Sequence, residues 1–208
     1  MAYPSVTAPY GLRPINLIGG QVFAGATRQI PIGSGNDTAI YYGDVVKLDS
    51  SGLLQKDVGT DAATPVGVFL GCTYTDSQYG LTFRQFYTAD TVAGDITAYV
   101  SDDPDALYKV AIVSATTTIG YVNRTAVGNN AVLVQNAGST LTGNSAVAID
   151  DGTGTTATFP IRIIDVVPET AIAGYPGSYT EVIVKWNAPN VTSQVFAGGH
   201  QYLNPLGV

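Results

Sequence analysis

Glycine and proline are spread so densely along the chain that few stretches are long enough for several turns of α-helix. The 208 residues include 24 Gly and 11 Pro, and both residue types destabilise the interior of a helix. Stretches that are long enough, such as residues 106–119, are rich in Val, Ile and Thr, which favour strands. The sequence therefore predicts an all-β protein, either a β-sandwich or a β-barrel.

Short apolar segments alternate with turn signals, as in a sandwich or barrel. Residues 33–37, Gly-Ser-Gly-Asn-Asp, predict a hairpin loop between the first two strands. In the last strand, alternation places Val182, Val184 and Trp186 on one face, and we expect that face to cover the core. The predicted strands are residues 27–32, 39–48, 66–74, 96–100, 108–113, 131–135, 146–150, 159–167 and 179–186.

Two helical elements are expected beside the strands. Residues 103–107 predict one helical turn, in which Asp103 caps the turn and Pro104 occupies its first position. A second short helix is predicted near residues 83–87.

The two ends of the chain differ in composition from its middle. We divide the chain into an extended N-terminal arm (1–22), a β body (23–187) and a C-terminal arm (188–208). The body can be divided further into β subdomains near 23–98 and 99–187.

Three prolines in the N-terminal arm, Pro4, Pro9 and Pro14, favour extended backbone outside a sheet interior. The arm is too apolar for a solvated tail. Two alternatives remain open, because the arm can lie on the protein's own body or on a neighbour.

The charge balance excludes two classes of partner. The net charge is −7, with only nine Lys and Arg residues and a pI near 4.3. Since nucleic-acid binding depends on clustered cations, we expect neither nucleic acid nor an acidic membrane as a partner.

The N-terminus has no basic and apolar signal-peptide pattern, and no apolar run approaches the roughly 20 residues of a membrane helix. We therefore expect synthesis in a cytoplasm.

Catalytic and metal-binding patterns are missing from the sequence. Cys72 and His200 are the only Cys and His, so a disulfide within the chain and a cysteine zinc site are excluded. Cys72 is expected to be a small buried residue, and His200 to be a contact residue rather than a base. Residues 101–105 carry three Asp, but a capped turn accounts for them without Ca²⁺. We predict no catalytic residue, cofactor or metal, and therefore no enzyme.

Several motifs together carry a family resemblance. Residues 8–14, Ala-Pro-Tyr-Gly-Leu-Arg-Pro, resemble the opening arm of a family of tailed-phage virion proteins of the capsid cement or head-decoration type. The resemblance continues in order over nearly the whole chain, although it is weakest in the last twenty residues. The further matching segments are 43–48, 64–69, 99–105, 136–145 and 159–164.

The resemblance implies a structural function. It implies a protein that coats the assembled phage shell and stiffens it. The implied partners are the major capsid protein and copies of the protein itself, arranged as a trimer. The implied location is the capsid surface, after synthesis in the host cytoplasm. The first half is also similar in pattern to the small β-tulip decoration proteins of phage heads.

We expect the N-terminal arm to supply the contacts with a neighbouring subunit, because Tyr and Arg are favoured at interface hot spots. The alternative is a tail, fibre or other virion component with a carbohydrate- or receptor-binding module. A fibre would show repeats or a coiled-coil stem, and a carbohydrate module would expose Trp platforms, whereas the only Trp lies on an expected core face. The predicted contact residues are Tyr3, Tyr10, Leu12, Arg13 and Pro14.

Overall fold

The computed structural model describes residues 9–171, 178–188 and 198–203, which form two β-sheets with two short 3-10 turns. The all-β prediction is confirmed, and the two sheets are consistent with a sandwich. The pairings of the described strands do not show barrel closure. The strands are β1 (Arg13–Leu17), β2 (Arg28–Pro31), β3 (Val45–Leu48), β4 (Leu54–Lys56), β5 (Gly67–Asp76), β6 (Gly80–Arg84), β7 (Thr97–Ser101), β8 (Ala106–Ala115), β9 (Thr118–Ile119), β10 (Asn130–Ala131), β11 (Leu133–Val134), β12 (Ala148–Asp150), β13 (Ile161–Val166) and β14 (Glu181–Trp186).

The larger sheet is organised around the ten-residue strand β8. Its strand order is β10-β13-β14-β8-β12-β11, and β1 and β9 also pair with β8. Lys109 in β8 pairs with Arg13 of β1 and with Ile183 of β14. β8 is therefore enclosed between a strand from the start of the chain and one from near its end.

The smaller sheet contains only strands from the first half of the chain. Its strand order is β2-β7-β5-β3-β4, and β6 pairs with the outer part of β5. Apart from β1, which joins the larger sheet, the strands of the two sheets separate between Ser101, where β7 ends, and Ala106, where β8 begins.

One apolar core joins the two sheets, and a second lies on the far side of the smaller sheet. Val45 and Val68 pack with residues of the larger sheet, including Trp186, in the first core. Their chain neighbours Val46 and Phe69 belong to the second core. Because successive residues of a strand point to opposite faces, β3 and β5 are buried on both sides.

Buried and partly exposed residues alternate along β14, as the sequence predicts. Val182, Val184 and Trp186 are all buried in the first core, so the predicted core face is confirmed. The opposite face differs at Glu181, which is only 7% exposed because it contacts Tyr10 of the N-terminal arm and Lys109.

Three local predictions are wrong. The segment 27–32 does not form a hairpin with the next strand, since β2 pairs with β7. Residues 103–107 do not form a helical turn: residues 103–105 lie in the turn between β7 and β8, in which the Asp103 carboxylate accepts the Asp105 N–H, and Ala106 already begins β8. Residues 83–87 contain the end of β6 instead of a helix. Within the described ranges, no helix is long and apolar enough to cross a membrane.

Candidate functional site

The predicted contact residues of the N-terminal arm lie against the protein's own body, at a point where the chain crosses itself. Gly11 and Gly43 both have positive φ, +79° and +91°, and the Leu12 N–H donates to the Gly43 carbonyl at 2.9 Å. A Cβ on Gly11 would lie 2.6 Å from that carbonyl oxygen and 2.7 Å from Cβ of Ser145. Only glycine fits this crossing, because both the backbone conformation and the space exclude a side chain.

Leu12 is fully buried in the core that joins the two sheets. In this conformation it offers no surface to a neighbour, which departs from its predicted contact role. Pro14 is half-buried in β1, where it pairs with Tyr108 of β8. β1 has β8 as its neighbour strand, so the proline lies at a sheet edge, as its missing N–H requires.

Tyr10 binds an ion pair on the larger sheet. Its hydroxyl donates to the carboxylate of Glu181, which also contacts the Lys109 ammonium at 3.1 Å. Burial, followed by the hydrogen bond to Glu181, raises the pKa of Tyr10 above its ordinary value. The hydroxyl therefore keeps its proton and remains a donor to the carboxylate.

Arg13 connects the arm to both halves of the chain. Its guanidinium lies over the ring of Tyr42, 4.2 Å from the ring centroid, and 5.6 Å from the ring centroid of Tyr10. Its Nη2 donates to Oδ1 of Asn144 at 2.9 Å, and the Gln85 amide donates to the same oxygen. A stacked and hydrogen-bonded guanidinium of this kind fixes the arm in one position.

A buried ion pair lies directly beneath the crossing. Asp44 is fully buried, and its carboxylate contacts the Lys56 ammonium at 3.0 Å. The same carboxylate accepts the Ser145 hydroxyl at 2.6 Å and the Tyr41 N–H at 2.8 Å. Strand β4, the turn before β3 and the segment before β12 thus meet at one carboxylate.

Taken together, the arm residues hold the two halves of the chain to each other. The structure brings together Tyr10, Leu12, Arg13 and Pro14, whereas Tyr3 lies outside the described residues. Sequence reasoning missed their partners Tyr42, Asn144 and Glu181, because these lie far from the arm along the chain. At Glu181 in β14, the alternation of polar and apolar residues predicts exposure, but the residue is buried.

A separate exposed surface is apolar. Leu81 and Phe83 of β6 are 77% and 63% exposed, and Tyr79 in the preceding turn is 75% exposed. Val92 and Leu141 are also highly exposed. The alternation of Leu81, Thr82 and Phe83 indicates an amphipathic strand, and the helix predicted near residues 83–87 does not form.

The two residues most suited to chemistry are both buried. Cys72 is fully buried, as predicted, and burial raises the pKa of its thiol to about 12. His200 is fully buried against the Trp186 and Tyr202 rings, 6.4 and 5.6 Å away between centroids. In the described parts of the chain, no group of three or more His, Cys, Asp or Glu side chains is placed to hold a metal ion.

The segment that carries His200 connects both sheets. The Gln201 side chain accepts the Leu48 N–H at 2.9 Å and donates to the Leu48 carbonyl, while the His200 N–H donates to the Asn187 carbonyl. β3 and the end of β14 are thereby linked through residues 198–203.

His200 predicts a pH dependence of stability. Burial is the largest influence on the imidazole and lowers its pKa. Backbone hydrogen bonds at Val66 and Asp102 and the negative charges of Asp102 and Asp103 act in the opposite direction, but they do not outweigh burial. Because the pKa in the folded state is below the unfolded value of about 6.5, the free energy of unfolding is highest above that pH. It should then fall as the pH drops below it toward the folded-state pKa.

Urea denaturation at a series of pH values from about 8 to about 5 checks this dependence. The unfolding free energy of the wild-type chain should fall more steeply below about pH 6.5 than that of a His200→Asn variant. Equal slopes for the two chains would contradict a neutral, buried imidazole.

The geometry described above is compatible with a binding or structural role, in which the termini organise the body and an apolar surface remains exposed. No protein-family model, curated protein or solved structure matches the chain.

Proposed function

We propose that the chain is a cement or decoration protein of a tailed-phage capsid, which binds the assembled shell and stabilises it by bridging neighbouring capsid subunits. The observation that carries the proposal is the ordered set of family-like motifs, from residues 8–14 at the arm to 159–164 in the last third of the chain. Their positions at turns and strand starts suit a structural rather than a catalytic role.

The surface of the body supports this proposal. Only 12% of the residues are charged, and large apolar side chains such as Leu141, 94% exposed, and Val92, 84% exposed, face outward. Neutral and apolar surface of this kind favours contact with other proteins. When one molecule touches several subunits, each weak contact is strengthened by the high effective concentration of the next.

The proposed partners are the major capsid protein and copies of the chain itself, arranged as a trimer. The proposed location is the outer capsid surface, because an acidic protein inside the shell would lie against packaged DNA. Under this proposal the protein is synthesised in the host cytoplasm, needs no cofactor and performs no catalysis.

A tail or fibre component with a carbohydrate- or receptor-binding module is the alternative. Carbohydrate modules of this kind stack sugars on exposed Trp platforms. Trp186, the only Trp of the chain, is 2% exposed and contacts the Tyr108 ring in the core. This burial favours the capsid proposal.

Addition of the purified full chain to phage shells that lack it tests the proposed function. We expect saturable binding in a sedimentation assay and a higher temperature for release of packaged DNA. A chain that does not sediment with the shells, or that binds them without raising the release temperature, would contradict the proposal.

The contribution of the arm is tested with a chain that lacks residues 2–8. A longer deletion, to residue 18, would also remove Leu12 from the core and the whole of β1, so loss of binding would then report unfolding. We expect the shorter deletion to weaken shell binding by about tenfold or more, as loss of a hot-spot contact does. Tyr3→Ala serves as the matched point variant, and the urea midpoint of each chain is measured in parallel.

A further inference from the structure

The hairpin of β5 and β6 is apolar on a face that is exposed to water. Leu81 and Phe83 point to the same face of β6, and both are more than half exposed. On the other face, Thr82 and Arg84 are half-buried, and the Arg84 guanidinium lies over the Tyr74 ring at 5.9 Å. A strand normally turns its polar face to solvent, so this arrangement is the reverse of the expected one.

β6 is also a sheet edge. Among the strands that the structure describes, its one partner is β5, in a register that pairs Cys72 with Arg84 and Asp76 with Gly80. Within the described ranges, no further backbone hydrogen bond reaches the other edge of β6, so its donors and acceptors can pair with a further strand. An apolar edge strand without a covering element is a template for association with another chain.

The sequence of β6 is complementary to itself in an antiparallel arrangement. When two copies pair about Thr82, Leu81 of each copy lies opposite Phe83 of the other. The contact therefore forms two identical aliphatic–aromatic pairs, which stabilise antiparallel strands. A two-fold interface requires this kind of self-complementarity, because the same patch must fit itself.

The charges on the half-buried face also fit this register. Arg84 would lie opposite Gly80 of the second copy, which has no side chain to block it. Beyond that glycine lies Asp76 of the second copy, on the same face, because Asp76 and Gly80 are paired. Among the described residues, Nε of Arg84 is buried without a hydrogen-bond partner, and the pairing places the Asp76 carboxylate of the second copy on the same face as this guanidinium.

We propose that β6 pairs antiparallel with β6 of a second copy of this chain, centred on Thr82, and joins the two smaller sheets into one continuous sheet. The pairing goes beyond the proposed capsid role and does not depend on it. A two-fold contact at β6 leaves the arm and the larger sheet available for contacts with the shell and for the proposed trimer.

Sedimentation equilibrium of the full chain over a range of concentrations tests the pairing. We expect a reversible dimer, with a dissociation constant raised about a hundredfold or more by Leu81→Lys or by Phe83→Glu alone. The double variant should recover dimerisation to within about tenfold of the wild type, because the register brings the two opposite charges together. Val22→Lys is the matched control, since Val22 is 77% exposed and bridges to Asn16 of β1 in the larger sheet, and this variant should leave the dimer intact.

Crosslinking gives a second measurement of the register. A Thr82→Cys chain should form a disulfide-linked dimer under mild oxidation, because residue 82 lies beside its own counterpart at the two-fold axis. A Thr142→Cys chain should not, and the native Cys72 is buried and does not compete. A wild-type chain that is monomeric at every concentration, or a double variant that fails to recover, would overturn the proposal.

The same variants separate this inference from the capsid role. A monomeric chain whose Leu81→Lys variant loses shell binding would overturn the pairing and assign the β6 face to the capsid. A dimer that fails to bind shells would instead overturn the proposed function and leave the pairing intact.

Discussion

Asp44→Ala should lower the free energy of unfolding by about 3–5 kcal/mol, the cost of leaving one partner of a buried ion pair uncompensated. The variant leaves the Lys56 ammonium, whose side chain is 10% exposed, without its carboxylate. It also removes the acceptor of the Ser145 hydroxyl and of the Tyr41 N–H. Urea denaturation followed by the fluorescence of Trp186, which is buried in the core, measures the loss.

An exposed ion pair of similar length provides the control for this variant. Arg124 and Asp165 lie 2.9 Å apart, but their side chains are 78% and 47% exposed. Arg124→Ala should therefore change the unfolding free energy by no more than about 0.5 kcal/mol.

A double-mutant cycle isolates the interaction between Asp44 and Lys56. The double variant Asp44→Ala/Lys56→Ala should be less destabilised than the sum of the single variants, since it removes both charges from the interior. Additive single variants would mean that the pair contributes nothing beyond its separate hydrogen bonds.

Gly11→Ala should also be strongly destabilising, by about 3 kcal/mol, for two separate reasons. The left-handed backbone at Gly11 costs a residue with a side chain about 1–2 kcal/mol. In addition, the new Cβ would meet the Gly43 carbonyl oxygen at 2.6 Å, and overpacking of this kind costs about 1–3 kcal/mol. The same urea titration measures the loss.

Gly35→Ala separates the two contributions. Gly35 has nearly the same φ, +74°, but nothing lies within 4 Å of the position of its Cβ. Gly35→Ala should therefore lower the free energy of unfolding by about 1–2 kcal/mol, the cost of the left-handed backbone conformation alone. Equal losses at Gly11 and Gly35 would mean that the arm moves away from Gly43 at little cost.

The strands could be predicted from the sequence because their signals are local. In β14, alternating residues from Val182 to Trp186 fixed both the strand and its buried face. The pairing of strands could not be predicted in the same way. Residues 33–37 contain turn-forming residues, which predict that β2 pairs with the next strand. Instead, β2 pairs with β7, which lies about 70 residues farther along the chain. Turn signals describe a local bend and contain no information about such distant contacts.

The contact residues of the arm illustrate a different limit. Tyr10 and Arg13 were recognisable as anchoring side chains, because aromatic and guanidinium groups bind well to protein surfaces. Composition does not distinguish an anchor on a neighbour from an anchor on the chain's own body. Here Glu181 and Tyr42 of the same chain receive them.

Strand β6 shows how turn-rich surroundings conceal an amphipathic pattern. β6 has only five residues and lies between two turns. In so short a segment the alternation of Leu81 and Phe83 does not distinguish a strand from a short helix. Its apolar side also faces outward, so the usual assignment of apolar residues to the core fails there.

The position of β8 between β1 and β14 determines when the protein can fold. Strand β1 leaves the ribosome long before its partner β8, and β8 leaves it long before its other partner β14. The paired strands are therefore far apart along the chain, which gives the fold a high contact order. Chains of this topology fold slowly, because distant segments must meet before any pairing is stabilised. The larger sheet can therefore be completed only after translation has passed Trp186. Until then Tyr10 of the arm lacks its partner Glu181, and we expect the apolar surface that remains exposed on the nascent chain to favour aggregation.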